Sequence, residues 1–168
     1  MPTVSTLNDP TGTIVANAAI VPAGTKGGVA VYASNATNLT IDVNGYFAPP
    51  GTGGLQLYAL TPCRVLDTRS TSGAFSGELT VNVVGSACMP PSGAQAYVFN
   101  ATVVPTGDLG YLTLWPDGEN QPGVSTLNAK DGFITSNMAA VPNVNGKTDA
   151  YASSTTQLIM DISAYFAP

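Results

Sequence analysis

Two short stretches hold most of the side chains suited to chemistry. In Arg64-Val65-Leu66-Asp67-Thr68-Arg69, the protein's two arginines flank one aspartate. On an extended strand Val65, Asp67 and Arg69 share one face and Arg64, Leu66 and Thr68 the other, so Asp67 is expected to pair with Arg69. Such a cluster serves either as a structural network, with guanidinium groups tying down carboxylates and loop carbonyls at a sheet edge, or as a site for an anion or sugar acid. The commonness of satisfied polar clusters favours the network. The second stretch is Trp115-Pro116-Asp117-Gly118-Glu119-Asn120-Gln121, an aromatic ring at a strand end followed by a polar turn. A pyranose packs its C–H face on an aromatic ring while carboxylates and amides take its hydroxyls. Trp115, Asp117, Glu119, Asn120 and Gln121 are therefore the candidate ligand-binding set. The plainer reading is a core-edge Trp beside a solvated turn. Asp117, Glu119 and Asp67 are the weak catalytic candidates, because glycoside hydrolysis needs two carboxyl groups at a defined separation. Two-residue spacing within a turn does not define one.

Composition removes many other activities. The 168 residues contain no histidine, which excludes Ser-His-Asp and Cys-His catalysis and imidazole zinc sites. Only 9% are charged, against roughly 25% in average soluble domains. A net charge of -5 leaves no electrostatic footprint for nucleic acid. Asp9, Asp108 and Asp131 lie in loops without calcium-ligand spacing, so neither a metal nor a cofactor is expected. Lys26, Lys130 and Lys147 all fall in turns, which gives no support for a catalytic amine. No apolar run reaches membrane-spanning length. Met1-Pro2-Thr3-Val4 opens without the basic and apolar regions of a secretory signal, so the sequence is expected to be mature or trimmed.

The strongest internal pattern is a duplication. Pro2-Thr3-Val4-Ser5-Thr6-Leu7-Asn8 returns 120 residues later as Pro122-Gly123-Val124-Ser125-Thr126-Leu127-Asn128. The register runs through Asn17/Asn137 and Pro22/Pro142, loses one residue, and resumes at Tyr32/Tyr151. Asp42-Val43-Asn44-Gly45-Tyr46-Phe47-Ala48-Pro49 matches Asp161-Ile162-Ser163-Ala164-Tyr165-Phe166-Ala167-Pro168. A block of about fifty residues, here called B, is thus repeated on either side of an A block that holds both cysteines, both arginines and the one tryptophan. The pattern defines a unit of about 120 residues, with residues 1–50 as the C-terminal half of one unit and 51–168 as a complete one. The duplicated Asp42 and Asp161 suit a role in the fold better than a single active site. Asn17, Asn100 and Asn137 are expected to satisfy backbone groups at bulges.

Alternation and turn chemistry predict an all-β, antiparallel β-sandwich, with a β-trefoil or β-prism-like fold of twelve strands as the alternative. Strands are predicted at Thr3–Leu7, Ile14–Val21, Gly28–Ala33 and Asn38–Phe47, with their copies after residue 123. The A block adds Tyr58–Asp67, Glu78–Val84, Ala96–Val104 and Gly110–Trp115. Ile14–Val21 and Tyr97–Val104 are apolar in both phases of the alternation, which predicts central strands covered on both faces. Cys63 and Cys88 are an even pair in a chain of extracellular composition, and a disulfide is expected.

Leu60-Thr61-Pro62-Cys63-Arg64-Val65-Leu66-Asp67-Thr68-Arg69, taken with the Asp-x-x-x-Tyr-Phe endings, resembles a tandem extracellular β repeat of soil bacteria of acidobacterial and actinobacterial type. Residues 55–168 span one whole unit of that pattern and 2–50 the end of another; Ala164 departs from it where Gly45 stands in the first copy. The resemblance implies a secreted or cell-surface location and says little about activity.

Three functions are compatible with these residues. The first is a structural or adhesive repeat module of a surface protein, and the second is a carbohydrate-binding module resting on Trp115. The third is a secreted, histidine-free, carboxylate-dependent glycoside hydrolase, and the balance leans away from an enzyme. The expected partners are a polysaccharide or cell-surface glycan, and a second copy of the chain through the unpaired half repeat.

Overall fold

The computed structural model describes residues 4–49 and 51–168. Thr3, which opens the first predicted strand, lies outside them. Seven strands form: β1 Gln56–Asp67, β2 Phe75–Asn82, β3 Ala96–Pro105, β4 Leu109–Pro116, β5 Leu127–Ala129, β6 Thr135–Pro142 and β7 Lys147–Ala167. The four A-block strands fall within a few residues of their predicted positions. The protein is all-β and antiparallel, and all seven strands belong to one sheet that curls towards a barrel. Twelve strands are not formed by the described residues.

The long β7 organises the sheet. Two separate strands were expected in its place, but Ser153-Ser154-Thr155-Thr156 offers no Gly or Pro to break an extended chain and runs straight through. Along one edge of β7 lie β2 and then β1; along the other lie β4 and then β3. β6 pairs with the far side of β3, and β5 with the far side of β4. All six of these ladders join an A-block strand to a B-block strand. None joins A to A or B to B.

The core lies on one face. In β3, Tyr97, Phe99, Ala101 and Val103 are fully buried, whereas Asn100 between them is exposed. In β6, Asn137, Ala139 and Val141 point inwards and Ser136, Met138 and Pro142 outwards. The double-sided burial expected of Tyr97–Val104 is therefore corrected: β3 is central by pairing yet covered on one side, as antiparallel sheets commonly are.

Residues 4–49 form no strand; their one regular element is the 3-10 turn Thr25–Gly27. The strands predicted over Ile14–Val21, Gly28–Ala33 and Asn38–Phe47, and over the described part of Thr3–Leu7, are thus corrected. The physical reason is the ladder pattern, since B-block strands pair only with A-block strands and the single A block is occupied by residues 127–167. Two local features of the copy survive all the same. Gly12 and Gly132 have φ of 73° and 74°, and Gly27 and Gly146 have φ of 76° and 85°, a left-handed region that glycine enters without a Cβ clash. Asn17 Nδ2 donates to Thr6 O at 2.6 Å, as Asn137 Nδ2 donates to Thr126 O at 2.8 Å. The side chains meet opposite fates. Leu39 is 58% exposed, Ile41 62% and Val43 81%, while their counterparts Leu158, Met160 and Ile162 are 0% exposed. The segment touches the folded unit where Ala18 N donates to Asn137 Oδ1 at 3.0 Å and where the Phe47 and Phe166 rings lie 6.1 Å apart.

Candidate functional site

The arginine cluster sits where β1 leaves β7. Asp67 ends β1 and caps the 3-10 turn Thr68–Ser70 by accepting from Arg69 N at 3.1 Å. That turn swings Arg69 back so that its Nε and Nη2 reach the two Asp67 oxygens at 2.9 and 2.7 Å, a two-point pair. The expected Asp67–Arg69 pairing is present, but it is made by a cap rather than by strand alternation. Arg64, expected on the opposite face, joins the same cluster. A bulge between Arg64 and Leu66 puts two steps of β1 against one of β7, which shifts the alternation by one residue. Arg64 then lies opposite Asp161, pairs with it through Nε and Nη2, and donates from Nη1 to Asp67 Oδ2 at 3.1 Å. Two arginines and two aspartates thereby satisfy one another.

These bonds, first those from the Arg69 side chain and then its backbone N–H and the nearby charges of Arg69 and Arg64, hold the Asp67 carboxyl at about 2, below its ordinary 3.8. A carboxyl depressed by folding adds stability that is complete above its unfolded value and is lost as pH falls through its folded value. Asp67→Asn should therefore lower the melting temperature at pH 6, and the gap from wild type should shrink between pH 4 and pH 2. Thermal melts across that range check it; a gap of constant size would remove the carboxylate from the account.

The Trp115 turn is closed on itself. Trp115 is buried, and its Nε1 donates to Glu119 O at 3.0 Å, so the ring clamps the turn from within and presents no open face to a sugar. Asp117 Oδ2 accepts from Asn145 Nδ2 at 2.6 Å, which ties this turn to the one between β6 and β7. Glu119 contributes its backbone carbonyl, and Asn120 and Gln121 continue the exposed loop towards β5.

Other polar residues also brace strands. Asn137 carries a bond from its amide to the segment preceding β5, and the β3–β6 register at Asn137 is unbroken, so it acts as a strand tie rather than at a bulge. Asn100 is exposed and donates to Thr102 Oγ1. Two further ties were not foreseen. Thr68 is buried, donates to Gln157 Oε1 at 2.6 Å and accepts from Leu158 N at 2.9 Å. Asp149, also buried, accepts from Thr80 Oγ1 at 2.7 Å across the β2–β7 ladder. No sequence signal marks either, because each depends on which residue a partner strand places opposite. Cys63 and Cys88 form a disulfide with a Cα–Cα distance of 5.7 Å, which pins the β2–β3 loop to β1. It is compatible with an oxidising compartment.

A concavity lies along the loop that follows the Trp115 turn. It has a volume of about 520 Å³ and is lined by Tyr111, Gln121–Ser125 and Asn128, next to the stacked pair of Tyr111 and Tyr151 with ring centroids 5.7 Å apart. Asn128 donates to Gly110 O, and Ser125 Oγ bonds Asn128 Oδ1, which leaves the Tyr111 ring and Gln121 as the groups open to a ligand. No protein-family model matches the chain, and no curated protein or solved structure matches it at a significant level.

Proposed function

We propose that this chain is a structural repeat module of a secreted or cell-surface protein. The observation that carries the proposal is where the reactive side chains are spent: Arg64, Asp67, Arg69, Asp161, Trp115 and Asp117 all hold strand ends and turns to one another. The disulfide, the low charge and the duplicated B block suit a unit of a tandem array that must persist outside the cell. Adhesion to a polysaccharide or cell-surface glycan is a second reading, favoured by the concavity beside Tyr111 and Gln121 rather than by Trp115.

A panel of soluble and insoluble polysaccharides, scored for retention and for released reducing ends, separates the readings. The structural module gives neither signal. Retention lost in Tyr111→Ala would establish the glycan-binding reading in its place. Reducing ends released by wild type and abolished in Asp117→Asn or Glu119→Gln would make the protein a carboxylate-dependent hydrolase and overturn the proposal.

A further inference from the structure

We infer that residues 4–48 form a docking surface for a further A-type half unit, a segment built like residues 55–121 but distinct from it. The inference rests on the repeat-module reading and names the partner that such a module takes.

The cover that this segment lacks is visible on its own copy. Residues 127–167 are ordered by β1 to β4, which supply every ladder they make, and Leu158, Met160 and Ile162 are buried there. The N-terminal copy keeps the left-handed glycines at Gly12 and Gly27, the same Asn17 tie, and aliphatic side chains in the same phase at Leu39, Ile41 and Val43. It is preshaped for the A-type surface and exposes what that surface would bury. The recognition includes charge. Asp42 is the counterpart of Asp161, the carboxylate that takes the two-point pair from Arg64, so an incoming Pro-Cys-Arg segment would set its arginine against Asp42.

Stoichiometry argues against a second copy of this chain as the occupant. Residues 1–168 carry one A block and two B blocks, and that A block is already covered. Exchange between copies frees one B block for each one it covers, so no apolar surface is removed from water on balance. An additional A-type half changes the count to two of each, and both B blocks are then covered.

The test places a second copy of residues 55–121 ahead of residue 1 of the full chain and follows amide exchange by mass spectrometry. In the unextended chain, amides of residues 28–47 should exchange quickly while those of 147–166 are protected. In the extended chain both should be protected, with the N-terminal segment slowed by roughly 100-fold or more. Ile41→Asp should abolish the new protection and leave 147–166 unchanged, which also reports that the protein remains folded. Arg64→Ala in the added half alone should weaken the protection around Asp42. Three results would overturn the inference: slow exchange of residues 28–47 in the unextended monomer, the same protection gained by dimerisation of the unextended chain, or no change on adding the A-type half. None of these bears on polysaccharide turnover, which tests the module reading separately.

Discussion

Met160→Ala is expected to lower the stability of the folded unit by about 2 to 5 kcal/mol, while Ile41→Ala at the duplicated position changes it by less than about 0.5 kcal/mol. Both residues follow the same pattern in the sequence and precede an aspartate. They differ in what lies over them. Met160 is fully buried in β7, opposite Leu66 of β1 and Ala101 of β3, so truncation leaves a cavity that paired neighbours on both edges resist closing. Ile41 is exposed and belongs to no strand, so its truncation removes little that folding had buried. Urea unfolding of the two variants beside wild type measures the contrast. Equal losses would mean that the N-terminal copy is packed in solution.

Removing the disulfide should have the next largest effect. Cys63 sits on β1 opposite Ile162, and Cys88 lies in the loop between β2 and β3, which forms no strand of its own. The sequence separation of 25 corresponds, on the chain-entropy account, to about 3.5 kcal/mol of stabilisation lost on opening the bond. Cys63→Ala with Cys88→Ala should show that loss in the urea midpoint, with no further response to reductant. Wild type should move to the same midpoint once reduced. A midpoint indifferent to both changes would show that the loop is held by packing alone.

The A block was legible almost strand by strand, because its apolar alternation is interrupted by Pro and Gly where the strands turn. β3 ends at Pro105 and Thr106-Gly107-Asp108 turns the chain into β4, and in the B block Gly146 directly precedes β7, where an added Cβ would lie 2.6 Å from Val84 Cγ2. The duplication was legible as well, yet it gave a wrong expectation for residues 4–49. Periodicity reports a segment's readiness to be a strand, whereas a strand exists only where another edge completes its hydrogen bonds. The same limit hid the continuity of β7, whose Ser/Thr run reads as a connection until partner strands lie along both of its edges. In the candidate site, residue types were legible but their geometry was not. Alternation alone put Arg64 on the wrong face, because a bulge leaves no mark in a list of residues. Trp115 beside carboxylates has the composition of a sugar platform, and only the path of the turn back over the indole makes it an internal clamp.

The unit is woven from an A block and a B block that order each other and do not order themselves. Dividing residues 51–168 between Gln121 and Pro122, in the loop before β5, tests this mutual dependence most directly by circular dichroism and thermal melting of the two pieces apart and mixed. Residues 51–121 and 122–168 should each lack a cooperative transition, and an equimolar mixture should recover the β spectrum and a single melt. A cooperative transition in either piece alone would show that its strands find partners within the block and that the two blocks do not depend on each other.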